Sequence, residues 1–417
     1  MSITTSQREK FVNKGEMIVG IDVAKHTHVA RILFPDGSES KAFGFSNDRR
    51  GFEDFIAWIS SYKGKAENGS IIVGLESTGH YWEPLAFYLD GVLGIRIVQV
   101  SPKHVKKTKE VYDNSPGKTD SKDAGVIAML IRMGRFQRLV LPRGHFAELR
   151  CYARLREQMT VELGVKRNIL HSLVDLVFPE YGSIFRKVES KTSLYVLKHY
   201  TTPEGIVRAG VKNISTALSK ASRGKLSQAC ADRLIETAST TIGLKDGIEG
   251  IIFAIRSTIG SIERIQKEIT AVEKELVFTL SKVPYATKLL SIPGIGKTSV
   301  SVILGESGDL RRYQKAEELI KLAGLNLFEI SSGMHQGQRH ISKRGRSLLR
   351  KCLFFAALRT VKTGGAFRSV YLRLTKTNQM HKTKALVAIS RKILRVFFAL
   401  VRDGVGYQQP RTELVAA

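Results

Sequence analysis

Met17-Ile18-Val19-Gly20-Ile21-Asp22-Val23 is an apolar run with a single carboxylate inside it. A run of this length bounded by polar residues reads as a buried strand. A carboxylate there has no packing role, so it must be paired, protonated or metal-bound. A second run, Ile71-Ile72-Val73-Gly74-Leu75-Glu76, closes on another acid. In Lys118-Thr119-Asp120-Ser121-Lys122-Asp123-Ala124 two more acids stand three residues apart, which on a helix puts both carboxylates on one face. Alone, Asp22 is compatible with a buried ion pair, and Asp120 with Asp123 with a solvated helix face. Four converging carboxylates instead suit Mg²⁺, with Mn²⁺ as a substitute, because such ions prefer oxygen ligands and keep positions open for phosphate and water.

The surrounding pattern sets these acids in a fold. Pro35-Asp36-Gly37 predicts a hairpin joining residues 28–34 to 39–45. A helix near 48–62, the Glu76 strand, a helix near 81–89 and a strand over 95–100 follow. A hairpin-rich start followed by helix-linked strands is the order of the α/β RNase H-like (RuvC-like) fold. That fold would set the Asp22 and Glu76 strands side by side, with a helix over 119–134 packed at their edge. Lys118 and Lys122 are either phosphate contacts or solvated lysines.

At 417 residues the chain exceeds one ordinary domain. Its 66 Lys and Arg against 38 Asp and Glu give a net charge of +28, which points to a polyanionic partner, nucleic acid before a membrane surface. No apolar run approaches a membrane span, and the polar start lacks a signal-peptide core, so a cytoplasmic protein is expected. Cys151, Cys230 and Cys352 are too scattered for a zinc site and read as buried thiols. Charge is also uneven, with 17 Lys or Arg and no acid between Glu329 and Asp403.

Residues 145–175 continue as helix, and 176–242 look helical without a chemical motif. From Ile248, apolar residues recur as Ile248, Ile255, Ile262, Ile269 and Leu276, with Ile251, Ile265 and Val272 at a second heptad position interrupted by Thr258 and Thr279. This is a coiled-coil seam, for self-association or for a partner within the chain. Ser291-Ile292-Pro293-Gly294-Ile295-Gly296-Lys297-Thr298 lacks the first glycine of a phosphate loop. It reads instead as a helix-hairpin-helix turn, with Gly294, Gly296 and Lys297 approaching a phosphate, or as a structural tight turn. Helices are expected over 319–323, 348–361 and 383–401. Lys343, Arg344, Arg346 and Arg350 are expected to meet phosphate, with generic helix solubility as the alternative for the arginines.

These residues carry a resemblance. Gly20-Ile21-Asp22-Val23-Ala24-Lys25, Glu76-Ser77-Thr78-Gly79-His80-Tyr81-Trp82-Glu83-Pro84-Leu85, the Lys118–Ala124 segment, Ile292-Pro293-Gly294-Ile295-Gly296, Ala323-Gly324-Leu325, Ser332-Gly333 and Ser342-Lys343-Arg344-Gly345 together resemble the transposases of the insertion sequence 110 family, relatives of the Piv site-specific DNA invertases. Asn326-Leu327 departs from the proline often found after Ala-Gly-Leu, and 176–242 looks like extra length.

The resemblance implies a RuvC-like domain over 16–175 in which Asp22, Glu76, Asp120 and Asp123 are catalytic and bind Mg²⁺. It further implies a helical insert and coiled coil over 176–283, and a mainly α transposase domain over 284–417. In the last, Ser332 of the Ser-Gly pair, with Ser331 as the alternative, would attack the scissile phosphate and form a phosphoserine link. A noncoding bridge RNA pairing with donor and target DNA, a homodimer or homotetramer, and a nucleoid-associated protein of a bacterium or archaeon are implied as well. Two further readings stand beside this one. A RuvC-like hydrolytic nuclease, of the Holliday-junction resolvase type, would need only the acids and water, and a Piv-like invertase would share every residue named.

Overall fold

The computed structural model describes residues 15–66, 70–76, 79–113, 119–226, 228–329 and 339–409. The chain forms two compact units, Met1–Leu141 and Pro142–Ala417.

In the first unit, β1 (Met17–Asp22), β2 (Thr27–Leu33), β3 (Phe43–Ser46), β4 (Ile71–Glu76), β5 (Ile95–Val100) and β6 (Phe136–Arg138) make one sheet of order β3-β2-β1-β4-β5-β6. The first three strands run antiparallel; β1, β4 and β5 are parallel, and β6 returns antiparallel to β5. Parallel neighbours require crossovers. α1 (Arg49–Ser61) leads into β4, and α2 (Trp82–Leu89) joins β4 to β5. α3 (Pro102–Asp113) and α4 (Asp120–Arg132) follow. The architecture fits the RNase H-like class. The hairpin forms at Gly37, whose φ of 91° a side chain would resist. Asp48 caps α1 by accepting from Gly51 N at 2.8 Å.

The sheet is buried on both faces, and the two-residue period of a strand sorts β1 between them. Met17, Val19 and Ile21 join the core that holds Phe52, Phe55 and Leu85 of α1 and α2. Ile18 joins the opposite core, which holds Val126, Ile127 and Ile131 of α4. Gly20 and Gly74 are cross-strand partners on that second face, and α4 presses directly on them. A Cβ on Gly74 would meet Ile131 Cδ1 at 2.1 Å.

The second unit is helical: α5 (His145–Val177), α6 (Tyr181–Ile184), α7 (Lys191–His199), α8 (Pro203–Ser222), α9 (Gln228–Ser239), α10 (Ile248–Ser281), α11 (Ala286–Leu290), α12 (Lys297–Ser307), α13 (Ala316–Leu322), α14 (Ser347–Thr363), α15 (Gly365–Leu372) and α16 (Lys382–Asp403). A short β-ribbon pairs β7 (Leu327–Phe328) with β8 (His340–Ile341). α5 lies wholly in this unit. Its partner is α10. Leu149 and Ala153 of α5 share a core with Val272, Leu276 and Leu280, whereas Leu163, Leu170 and Val174 share another with Ile255, Ile259 and Ile262, so the two long helices run antiparallel.

The heptad face of α10 is thus turned inside the chain. Ile255, Ile262 and Leu276 are buried, and so are Thr258 and Thr279 at the interrupted position. Self-association, for which that seam was one candidate, needs another surface. The stretch without a motif, 176–242, supplies α6 to α9, whose apolar faces close the second core with the ends of α5 and α10. Cys151 is exposed, not buried as expected, and Cys230 and Cys352 are half-buried. No described helix is long and apolar enough to cross a membrane.

Candidate active site and basic surface

Asp22 and Glu76 are the last residues of adjacent parallel strands, one pairing step beyond Ile21 opposite Leu75. Both continue the even series 18-20-22 and 72-74-76, so they share the sheet face covered by α4. Thr119 starts that helix, its Oγ1 accepting from Lys122 N at 3.2 Å. Asp120 and Asp123 therefore lie in the first turn, where the helix dipole favours negative charge. Because Gly20 sits under Ala124, this turn is held against the end of β1.

The electrostatics register the convergence. Burial, then Asp123, Asp120 and Glu76 in that order, push the Asp22 carboxyl up to about 6, with Lys109 opposing them. Lys109 Nζ donates to Asp123 Oδ2 at 2.6 Å. The other oxygen, Asp123 Oδ1, is buried without a hydrogen-bond partner. Among the described residues, no three His, Cys, Asp or Glu side chains are gathered closely enough to hold a metal as they stand. The donor set nevertheless fits a hard divalent cation: four carboxylates, an orphaned buried oxygen and mutual repulsion that a cation would relieve. Lys122 is 6 % exposed and so is not a solvated lysine, and Lys118 lies outside the described residues.

The basic residues divide by what their side chains touch. Gly294 has φ 86°, and a Cβ on it would stand 2.7 Å from Thr363 Oγ1 and 3.0 Å from Thr360 Cα. Its smallness serves contact with the end of α14. Gly296, by contrast, faces open space, and with exposed Lys297 it begins α12 without a side-chain cap. The Ala323-Gly324-Leu325 and Ser342–Gly345 elements interlock: Lys343 N donates to Gly324 O at 3.0 Å, and Ser342 N to Asn326 O at 2.9 Å. Lys343 takes φ 53° there, a left-handed backbone that side chains resist. Lys343 and Arg344 are exposed. Arg350 Nη1 donates to Ala323 O at 3.0 Å, and Arg346 Nη1 to the carbonyl of Glu306, a buried acid whose carboxylate Arg154 also approaches at 3.6 Å. Arg346 and Arg350 thus hold the fold together. Ser331 and Ser332 lie outside the described residues, in the segment between β7 and β8.

Sequence reasoning missed Lys109. A lysine in the highly charged run Lys103–Glu110 carries no local signal, and only the fold brings it to Asp123.

A sheet of this order ending in a D-E-D-D cluster marks a nucleic-acid strand-processing domain, and comparison with known proteins narrows the class to DNA transposases and recombinases. Residues 19–179 match the family model for DEDD transposases of the IS110 type, described as "Transposase", and residues 286–372 match the model described as "Transposase IS116/IS110/IS902 family". The chain belongs to the IS110 family of transposases. It is 24 % identical to an insertion element IS110 protein of Streptomyces coelicolor over 94 % of this chain and 95 % of that protein. An IS900 protein of Mycobacterium paratuberculosis is 26 % identical, covering 95 % and 98 %. A pilin gene-inverting protein of Moraxella lacunata is 24 % identical, covering 92 % and 95 %.

Proposed function

We propose that this transposase cuts and rejoins DNA through a phosphoserine intermediate formed by Ser332 and assisted by Mg²⁺ at Asp22, Glu76, Asp120 and Asp123. The observation that carries the metal half is the placement of Asp22 and Glu76 on one sheet face, with the first turn of α4 delivering Asp120 and Asp123 to it. When bound, the cation supplies Lewis-acid polarisation of a phosphate and eases ionisation of a hydroxyl. The chain's own residues do the rest. Ser332 Oγ forms a bond to phosphorus while one phosphorus–deoxyribose oxygen bond breaks, and the hydroxyl proton ends on the departing oxygen. Reversal by the hydroxyl of another strand restores a diester and the serine. The bond energy is conserved, so exchange needs no external energy source.

Lys297, Lys343 and Arg344 bind phosphates and set register, without reading sequence. Sequence choice then falls to a noncoding RNA paired with donor and target DNA, for which the net charge of +28 provides neutralising capacity beyond one duplex. A homodimer or homotetramer would hold the several strands. An invertase reading is favoured by the extent of the match to the Moraxella protein, and it uses the same chemistry.

The test is covalent trapping with full-length protein, Mg²⁺, labelled element-junction and target DNA and RNA transcribed from the flanking region. Wild type is expected to form an adduct on a denaturing gel, and Ser332→Ala and Asp22→Ala to form none. Cutting by Ser332→Ala without any adduct would replace this reading by a hydrolytic nuclease.

A further inference from the structure

The carboxylate cluster already contains a cation, the ammonium of Lys109. Its bond to Asp123 joins side chains only 22 % and 5 % exposed, where a charge is retained only if it is paired. The helix that carries it is clamped from the next turn. The Tyr112 hydroxyl donates to the Glu39 carboxylate at 2.6 and 2.7 Å and accepts from Arg31 Nη1 at 3.2 Å. It also fills the place where a Cβ on Gly125 would come within 2.2 Å, so α3 is locked to β2 and to α4. Lys109 can leave Asp123 by side-chain rotation without its helix moving.

We propose that Lys109 is a displaceable counter-ion: it offsets the repulsion among Asp22, Glu76, Asp120 and Asp123 in the metal-free protein, and a divalent cation must drive its ammonium off Asp123 in order to bind. This rests on the reading of those four acids as metal ligands. The physical ground is competition. A divalent ion seeks the same carboxylate oxygens and repels an ammonium left among them. With four formal negative charges at the cluster, two divalent ions would neutralise it, and the displaced ammonium would be the surplus positive charge, matched to one phosphodiester. Metal loading and phosphate binding become linked through a single side chain.

The experiment uses the full-length protein without nucleic acid and Mn²⁺ as the probe. Lysine acylation followed by mass spectrometry reads the reactivity of Lys109, and electron paramagnetic resonance of unbound Mn²⁺ reads affinity. Lys109 is expected to be protected in EDTA and about fivefold more reactive at saturating Mn²⁺, as exposure of the ammonium requires. Lys109→Met is expected to bind Mn²⁺ about tenfold more tightly than wild type, with Lys109→Arg close to wild type. Unchanged Lys109 reactivity on Mn²⁺ binding overturns the proposal, as does equal or weaker binding by a Lys109→Met protein that melts normally in EDTA. Should that variant not fold, the reactivity of the wild-type lysine decides alone. Absence of Mn²⁺ binding by wild type and Lys109→Met together removes the metal reading and the proposal with it, an outcome distinct from binding without displacement.

Discussion

Gly20 lies so close beneath α4 that a Cβ on it would stand 2.0 Å from the carbonyl oxygen of Ala124. The glycine is therefore a spacing device that lets the helix bearing Asp120 and Asp123 reach the strand bearing Asp22. Gly74, its partner across the sheet, meets a softer obstacle, the tip of Ile131. Gly20→Ala is expected to cost at least the upper part of the overpacking range of about 1–3 kcal/mol, and Gly74→Ala distinctly less, because a rotamer yields where backbone does not. Urea denaturation of both variants checks the order; equal costs would mean that α4 is not seated on β1 as described.

Asp22 gives a pH dependence of definite sign. Its carboxyl is raised from 3.8 to about 6 in the folded protein, so the native state holds that proton more firmly than the unfolded chain does. Its contribution to stability is then fully favourable below the unfolded value, declines as pH rises through the interval from about 4 to about 6, and is level above it. Asp22→Asn should stabilise the metal-free protein at pH 7.5, about 1.5 units above that interval, and lose the advantage near its acid edge. Melting curves in EDTA across this interval test it, and an advantage that grows toward acid would contradict the assignment.

Added Mn²⁺ or Mg²⁺ should raise the melting temperature of wild type, because a ligand that binds only the folded state stabilises it. Asp123→Asn, with one ligand oxygen replaced, should respond far less. Differential scanning fluorimetry with and without EDTA makes the comparison, and equal shifts in both proteins would place the cation elsewhere.

The cations of the C-terminal region should separate into two groups. Arg346→Ala removes the side chain that holds the Glu306 carbonyl and approaches its buried carboxylate at 3.9 Å, so it should lower stability by about 1–3 kcal/mol. Exposed Lys343 should reduce the salt slope of nucleic-acid binding by about one when changed to alanine, with little effect on melting. A salt titration of binding alongside thermal denaturation distinguishes the groups.

Gly294 and Gly296, two residues apart, should also part company. Gly294→Ala is strained by its φ of 86° and blocked by Thr363 and Thr360, whereas Gly296→Ala enters open space. Gly296→Asp should shift stability by no more than about a few tenths of a kcal/mol, since glycine is already a tolerable cap, yet weaken binding by setting a carboxylate before α12. Normal binding by Gly296→Asp would leave the turn a purely structural element.

The sheet was legible in the sequence because its central strands are short apolar runs, and because an acid inside such a run has few explanations. The D-E-D-D set followed from strand order. Helix α3 was not legible: in Pro102–Asp113 charged residues dominate, and among the described side chains Val105 is the one buried apolar residue. The packing role of Gly294 was not legible because the residues that crowd it, Thr360 and Thr363, lie far along the chain. Arg346 and Arg350 looked like surface cations for the same reason, since a composition count cannot see a carbonyl or a buried Glu306 brought up by the fold. The heptad in α10 marks the face that packs against α5, a partner that the sequence does not name.

That antiparallel pair has a mechanical meaning. α5 and α10 run for 33 and 34 residues, a rod of about 50 Å at the rise of an α-helix. One end is embedded in the lobe of α6 to α9 and the other in the core that carries α12, α14 and α16. Paired helices resist bending, so the two cores, which meet at Met159 part-way along α5, keep fixed stations on the rod. A chain that must bring strands together has a gauge built into it.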